Sequence, residues 1–326
     1  MDASWLYIRG FLDYFHSVKI LVTGSSGLVG HELVRSLLGC GHAVFRLLRP
    51  ESQPQPGSAG EQVVRLMWNP ATGELEGRAA GAEAVVHLGG ESIASGRWND
   101  RHKEQIQASR VIGTRNLVSA ILRLQPRPRV FVCASAVGYY GSRGDEELTE
   151  SSPPGTDFLA RLCQAWEAEA ARAETLGVRT VELRFGMILS RHGGALARML
   201  LPFRLALGGR LGSGRQWVSW LTLDEAVSVI RFVLENDEVR GPVNAVSSAP
   251  VRNAELTAAL ARALHRPAIL SVPALALRIM LGEMARPLLL ASQRVVPGRL
   301  NALGYRFLHP ELANALAALL SARETK

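Results

Sequence analysis

The sequence is poor in cysteine, in metal-ligand clusters and in long apolar runs, and each shortage excludes something. Its three cysteines, Cys40, Cys133 and Cys163, are odd in number and far apart. Neither a disulfide framework nor a paired-cysteine zinc or redox site can be built from them. No apolar stretch reaches the roughly 18 residues a spanning helix needs, so no membrane partner is expected. Basic residues never run to five in a row, although 37 lysines and arginines against 29 acids leave a net charge of +8. Arginines scattered singly fit a phosphate-bearing small molecule better than nucleic acid. His42, His87 and His192 lack companions at ligand spacing. No metal is expected.

What is present is ample for a large core, with 326 residues of which 47% are hydrophobic. From position 18, KILVT (19–23), AVFRLL (43–48), QVVRL (62–66), AVVHL (84–88), RVFVCA (129–134) and RTVELR (179–184) read as strands. They are nearly all apolar instead of alternating, the pattern of strands covered on both faces. Helices are predicted over 31–39, 99–124 and 158–176. Such alternation predicts an α/β fold, a doubly wound parallel sheet with right-handed crossovers. After about 187 come a glycine-rich stretch (193–215), a helix (223–235) that Asp224 is expected to cap, a late strand (243–246) and then mostly helix.

The sharpest local signal is Gly24-Ser-Ser-Gly27-Leu-Val-Gly30, which follows a strand and opens a helix. Gly24 permits a tight turn, Gly27 lets backbone approach a pyrophosphate, and Gly30 lets helix pack on strand. A diphosphate would sit on the exposed N–H groups at the positive end of the helix. About twenty residues on, such sites place an acid on the ribose hydroxyl or an arginine on an added phosphate. Here the second strand ends Leu47-Leu48-Arg49, with no carboxylate before Glu51, which favours NADP over NAD.

Longer strings join this turn: HLGGESIASGRWND (87–100), SRVIGTRNL (109–117), ASAVGYYG (134–141), PFRLALGG (202–209) and GSGRQW (212–217). With them the chain resembles the atypical, extended short-chain dehydrogenase/reductase family of NAD-dependent epimerase/dehydratase type. More narrowly it is similar to the epimerase-family branch with a C-terminal domain of unknown function, described as NADP-dependent oxidoreductases. The resemblance implies a Rossmann sheet with a smaller, mainly helical C-terminal lobe. It also implies an NADP cradle: Gly24, Ser25, Gly27, Leu28, Val29 and Gly30 at the diphosphate, and Leu48 and Arg49 at the ribose. Leu88, Gly89 and Gly90 match the fourth-strand tip, Gln105 and Arg110 the long helix, and 184–188, ending at Ile188, the nicotinamide side. The expected division is an N-terminal extension over 1–17 and a cofactor domain over 18–190 to which 216–248 returns. The remaining 191–215 and 249–326 form a substrate lobe. The extension has no basic start and no small-residue cleavage site, which points to the cytoplasm.

Reductases of this superfamily use a tyrosine acid, a lysine four residues later and a serine. A phenol with a pKa of about 10 needs a nearby cation to exchange protons near neutrality. Ser135 matches the serine, but Leu159 and Cys163 fall at the other two positions, so the tyrosine–lysine dyad is absent. Tyr139 and Tyr140 become the candidate proton donors, and Cys163 reads as packing. The arginine that nucleotide-sugar members carry after a GxGxQ string is also missing. Arg215, Trp217 and Trp220, with Arg97 and Trp98, are either pocket walls for a small ligand or packing between lobes. The function expected is an NADP-dependent oxidoreductase or epimerase acting on a small carbonyl or alcohol. The alternative is a non-catalytic NADP-binding sensor or scaffold.

Overall fold

The computed structural model describes residues 17–50 and 63–321. The expected N-terminal extension, Ser17 apart, therefore lies outside the described residues, as do Glu51 and Gln62. Eight strands form one sheet: β1 (Lys19–Thr23), β2 (Ala43–Leu48), β3 (Val63–Asn69), β4 (Glu74–Leu75), β5 (Ala84–His87), β6 (Val130–Ala136), β7 (Arg179–Phe185) and β8 (Gly241–Ala245). Their spatial order is β8-β7-β6-β5-β1-β2-β3-β4. Neighbours are parallel except at the edge, where β4 runs antiparallel to β3. The direction of winding reverses between β1 and β5, and a crevice opens there above the strand ends.

The all-apolar strand runs follow from double coverage. Leu21, Val22, Val85, Val86, Phe131 and Val132 are completely buried. One face is covered by α1 (Leu28–Gly39), the other by the segment running through α2 (Asp100–Gln107) and α3 (Gly113–Ile121) and by α4 (Phe158–Ala171). Leu33 and Leu37 fill the first layer, Leu117, Ile121 and Trp166 the second. The helix predicted over 99–124 is not uniform: a π-helical turn spans 108–112 and carries Ser109 and Arg110.

Beyond β7, α5 (Gly194–Arg204) precedes a strand, Trp220–Thr222, that pairs in parallel with Met187–Ser190. Helix α6 (Leu223–Glu235) then returns to the α1 face, burying Ile230 and Val233 there. Helices α7 (Asn253–Ala263), α8 (Ala274–Leu281) and α9 (Leu312–Ser321) follow. A separate core joins Leu196, Phe203, Leu256, Leu260 and Leu316 around Trp220. One expectation is corrected here and one open alternative is decided. Thr222, not Asp224, caps α6, its hydroxyl accepting the Glu225 N–H. Asp224 instead stands in the first turn, where its charge meets the positive helix end and its carboxylate meets His309 Nε2 at 2.8 Å. Trp220 is not a pocket wall, because it is fully buried and donates its indole N–H to the Ala249 carbonyl.

Candidate active site

The turn after β1 is built so that backbone lies on backbone. Gly24 has φ +64°, and a Cβ there would lie 2.6 Å from the Leu88 carbonyl. A Cβ on Gly30 would lie 2.2 Å from the Gly24 carbonyl oxygen, the same oxygen that accepts the Gly27 N–H at 2.9 Å. Helix α1 has no side-chain cap and no acid in its first turn. Its N–H groups are thus left for an anion. Gly24, Ser25, Gly27, Leu48, Arg49, Leu88, Gly89 and Gly90 surround one cleft, with Trp68, Glu91 and Ser109. Arg49 is exposed at its rim. Sequence reasoning missed Arg46, whose Nε donates to Ser25 Oγ at 3.1 Å and ties the turn to β2. Its position inside an apolar strand run was the available signal.

The cleft floor is held by a neutral histidine. His87 is buried between Thr23 Oγ1, at 2.6 Å, and Thr114 Oγ1, at 3.0 Å. Burial, helped by the Arg110 charge, pushes its pKa down to about 4, so one ring nitrogen donates and the other accepts. Thr23 Oγ1 also accepts the Gly89 N–H at 3.2 Å, fixing the β5 tip.

Other predicted cradle residues pack their side chains elsewhere, although Leu28 and Val29 open α1 and their N–H groups belong to its uncapped end. Leu28 packs beside Gly193 and Gly194, and Val29 and Ile188 pack against the sheet core. Gln105 is exposed on α2, outside the cleft lining. Arg110 is buried, and its Nη1 donates to the Glu91 carbonyl at 2.9 Å. It braces the loop after Gly90 from beneath, 5.1 Å from the Trp166 ring.

The predicted catalytic residues belong to a buried polar network. Ser135, at the end of β6, donates to Glu167 Oε1 at 2.5 Å. The Glu167 carboxylate also accepts Arg184 Nε at 2.9 Å and Nη2 at 2.7 Å. Arg184 Nη1 donates to the Tyr140 hydroxyl at 2.9 Å, and that hydroxyl donates to Asn244 Oδ1 at 2.6 Å. Burial pushes the Tyr140 phenol up to about 12 against the opposing pull of Arg184. Fully buried and engaged on both sides, Tyr140 is ill placed to give a proton to a ligand. The Tyr139 ring lies 3.5 Å from the Arg184 guanidinium carbon, and its hydroxyl makes no hydrogen bond to a described residue. Cys163 is buried, its thiol pushed up to about 12 by burial, and with Leu159 it lies against Gly138.

Glu167 was missed and Arg184 was read only as the start of the nicotinamide-side loop, though both were legible as oddities. Glu167 follows Leu159 and Cys163 at four-residue helical spacing, and Arg184 is one of three charges, with Arg179 and Glu182, in a strand that is buried almost throughout. On the substrate side, Trp217 Nε1 donates to Asp145 at 3.0 Å, and its ring lies 4.1 Å from the Arg252 guanidinium. Arg97 donates to the Ile279 and Met280 carbonyls, Trp98 is buried against Phe158, and Arg215 is exposed. Among the described residues no group of three or more His, Cys, Asp or Glu is placed to hold a metal ion. No described helix is long and apolar enough to cross a membrane.

Residues 20–245 match the NAD dependent epimerase/dehydratase family. The chain belongs to that family. Its residues 272–319 match a domain of unknown function, DUF1731. The epimerase family protein ML0860 of Mycobacterium leprae is 38% identical over 91% of this chain and 94% of its own length. SDR39U1 of Mus musculus is 37% identical over 92% and 98%. The crystal structure of human SDR39U1 (isoform 2), solved with NADPH, superposes with a TM-score of 0.84 at 33% identity. It covers 93% of this chain and 99% of its own.

Proposed function

We propose that this family member binds NADP(H) in the crevice at the β1–β5 switch point and is an oxidoreductase or epimerase for a small carbonyl or alcohol. The observation that carries the reading is the glycine turn: Cβ atoms at Gly24 and Gly30 would strike backbone, and uncapped α1 amides stand beside the exposed Arg49. That cradle fits a dinucleotide diphosphate and a phosphorylated ribose. The NADPH in the human relative agrees with it. Residues 18–190, joined by 216–248, are assigned to the cofactor domain, and 191–215 with 249–326 to the substrate lobe.

When bound, the nicotinamide supplies hydride exchange. The chain's own residues must then position the substrate and handle a proton. Tyr139 is assigned as the proton donor, with its ring held against Arg184 and its hydroxyl unclaimed. Ser135 keeps oxygen lone pairs for a substrate hydroxyl while its own proton goes to Glu167. Fluorescence titration is expected to show NADPH bound more tightly than NADH. Arg49→Glu should weaken NADPH about tenfold and leave NADH nearly unchanged, from loss of a charge-assisted contact. Equal weakening of both would show that Arg49 does not read the added phosphate.

Tyr139→Phe should preserve NADPH affinity while lowering turnover on a carbonyl panel about 100-fold or more, the usual scale of a lost general acid. The sensor reading keeps one observation in its favour: the helix that should carry the dyad presents Leu159 and Cys163, both buried. Tight NADPH binding with no turnover on any substrate would decide for it.

A further inference from the structure

The family assignment leaves the surface of the C-terminal lobe unexplained. Segments 194–211 and 256–282 contain six arginines and not one aspartate or glutamate, in a chain whose whole net charge is +8. The six, Arg198, Arg204, Arg210, Arg262, Arg266 and Arg278, are all exposed, and none pairs with an acid among the described residues. The same segments carry Leu201, Leu205, Leu207, Ile269, Leu275 and Ile279, each at least 58% exposed. Single surface leucines are ordinary, whereas a gathered set is not.

The fold gathers them. Leu201 and Leu205 lie one turn apart at the end of α5. The strand that follows, Gly209–Leu211, pairs with Leu270–Val272, next to Ile269. Arg266 Nε donates to the Arg204 carbonyl at 3.2 Å, joining the same two segments. Helix α8 begins directly after that ladder and exposes Leu275 and Ile279 one turn apart.

We propose that this face docks on an anionic lipid bilayer, its aliphatic side chains entering the headgroup layer and its arginines meeting lipid phosphates. Aliphatic residues ringed by unpaired cations are the chemistry of interfacial adsorption. A second copy of the chain fits poorly, because pairing this face with itself opposes two sets of uncompensated guanidinium groups. Nucleic acid fits poorly too, since unpaired bases are gripped by aromatic stacking. The only aromatic residue in the two segments, Phe203, is buried. No described helix is long and apolar enough to cross a membrane, and docking on a bilayer surface requires none.

The full chain should sediment with vesicles of equimolar phosphatidylcholine and phosphatidylglycerol, and about tenfold less with phosphatidylcholine alone. Added salt should weaken that binding. Leu275→Glu with Ile279→Glu, and separately Arg266→Glu with Arg278→Glu, should each cut vesicle binding about tenfold or more. Both should keep the thermal midpoint and NADPH affinity, and Met67→Glu, at an exposed site on β3, should change nothing. No capture by anionic vesicles, equal capture by neutral ones, or binding that survives both double variants would overturn the proposal. So would a dimer in ultracentrifugation, or tighter binding to single-stranded RNA, that these variants abolish.

Discussion

Gly30→Ala is expected to lower NADPH affinity about 100-fold, the equivalent of ~2.7 kcal/mol, and to destabilise the fold by about 1–3 kcal/mol. The added methyl would lie 2.2 Å from the Gly24 carbonyl oxygen and 2.8 Å from Ser25 Cα. Neither obstacle is the end of a flexible side chain, so relief requires α1 to move away from the turn. That movement breaks the Gly27 N–H contact to the Gly24 oxygen, made at 2.9 Å. It also turns the first-turn amides away from the place where a diphosphate would lie. Gly39→Ala is the control: the same helix ends there, and nothing lies within 4 Å of the added carbon. This second change should leave binding intact and add about 0.5 kcal/mol or more of stability, through backbone entropy. Urea unfolding and NADPH titration on both variants check the pair. Unaltered affinity in Gly30→Ala would place the dinucleotide elsewhere.

The doubly wound sheet was legible because burial on both faces writes itself as unbroken runs such as KILVT and AVVHL, and glycines punctuate where backbone touches backbone. The π-helical turn at 108–112 was not legible, since no residue type marks it and the apolar spacing stays helical across it. The polar network was harder still. Ser135, Glu167 and Arg184 lie on three different elements, and only the packing of α4 over β6 and β7 brings them together. Tyr140 shows the same limit. Adjacent to Tyr139 in the chain, it points into the core toward Asn244, and sequence spacing alone cannot separate two neighbours that a short 3₁₀ turn, Val137–Tyr140, sends different ways. The capping error at α6 was local: a threonine two residues upstream of Asp224 is also a favoured cap, and the observed helix starts from it.

Glu167→Ala is expected to cost about 3–5 kcal/mol, the usual penalty for leaving one half of a buried ion pair uncompensated. The Arg184 side chain is only 3% exposed, and Glu167 is its salt-bridge partner at 2.7 Å. Burial alone would make Arg184 easier to deprotonate, but the Glu167 carboxylate outweighs it and holds the cation in place. Removing both charges together, as Glu167→Leu with Arg184→Met, should recover much of the loss, because two desolvation penalties vanish with the attraction. The pH dependence gives an independent readout through Glu182, a buried carboxyl on β7. Its pKa is pushed up to about 8, first by burial and second by the Glu167 charge. A folded pKa above the unfolded 4.5 means that stability from this group is fully present below pH 4.5 and is lost as pH rises through about 8. In Glu167→Ala the like charge is gone while the burial remains. The decline in unfolding free energy should therefore end at a lower pH and be smaller in total than in the parent, though not absent. A decline of unchanged extent and end point would mean that Glu167 does not act on Glu182, and that the network around Ser135 is only a chain of contacts rather than one coupled electrostatic unit.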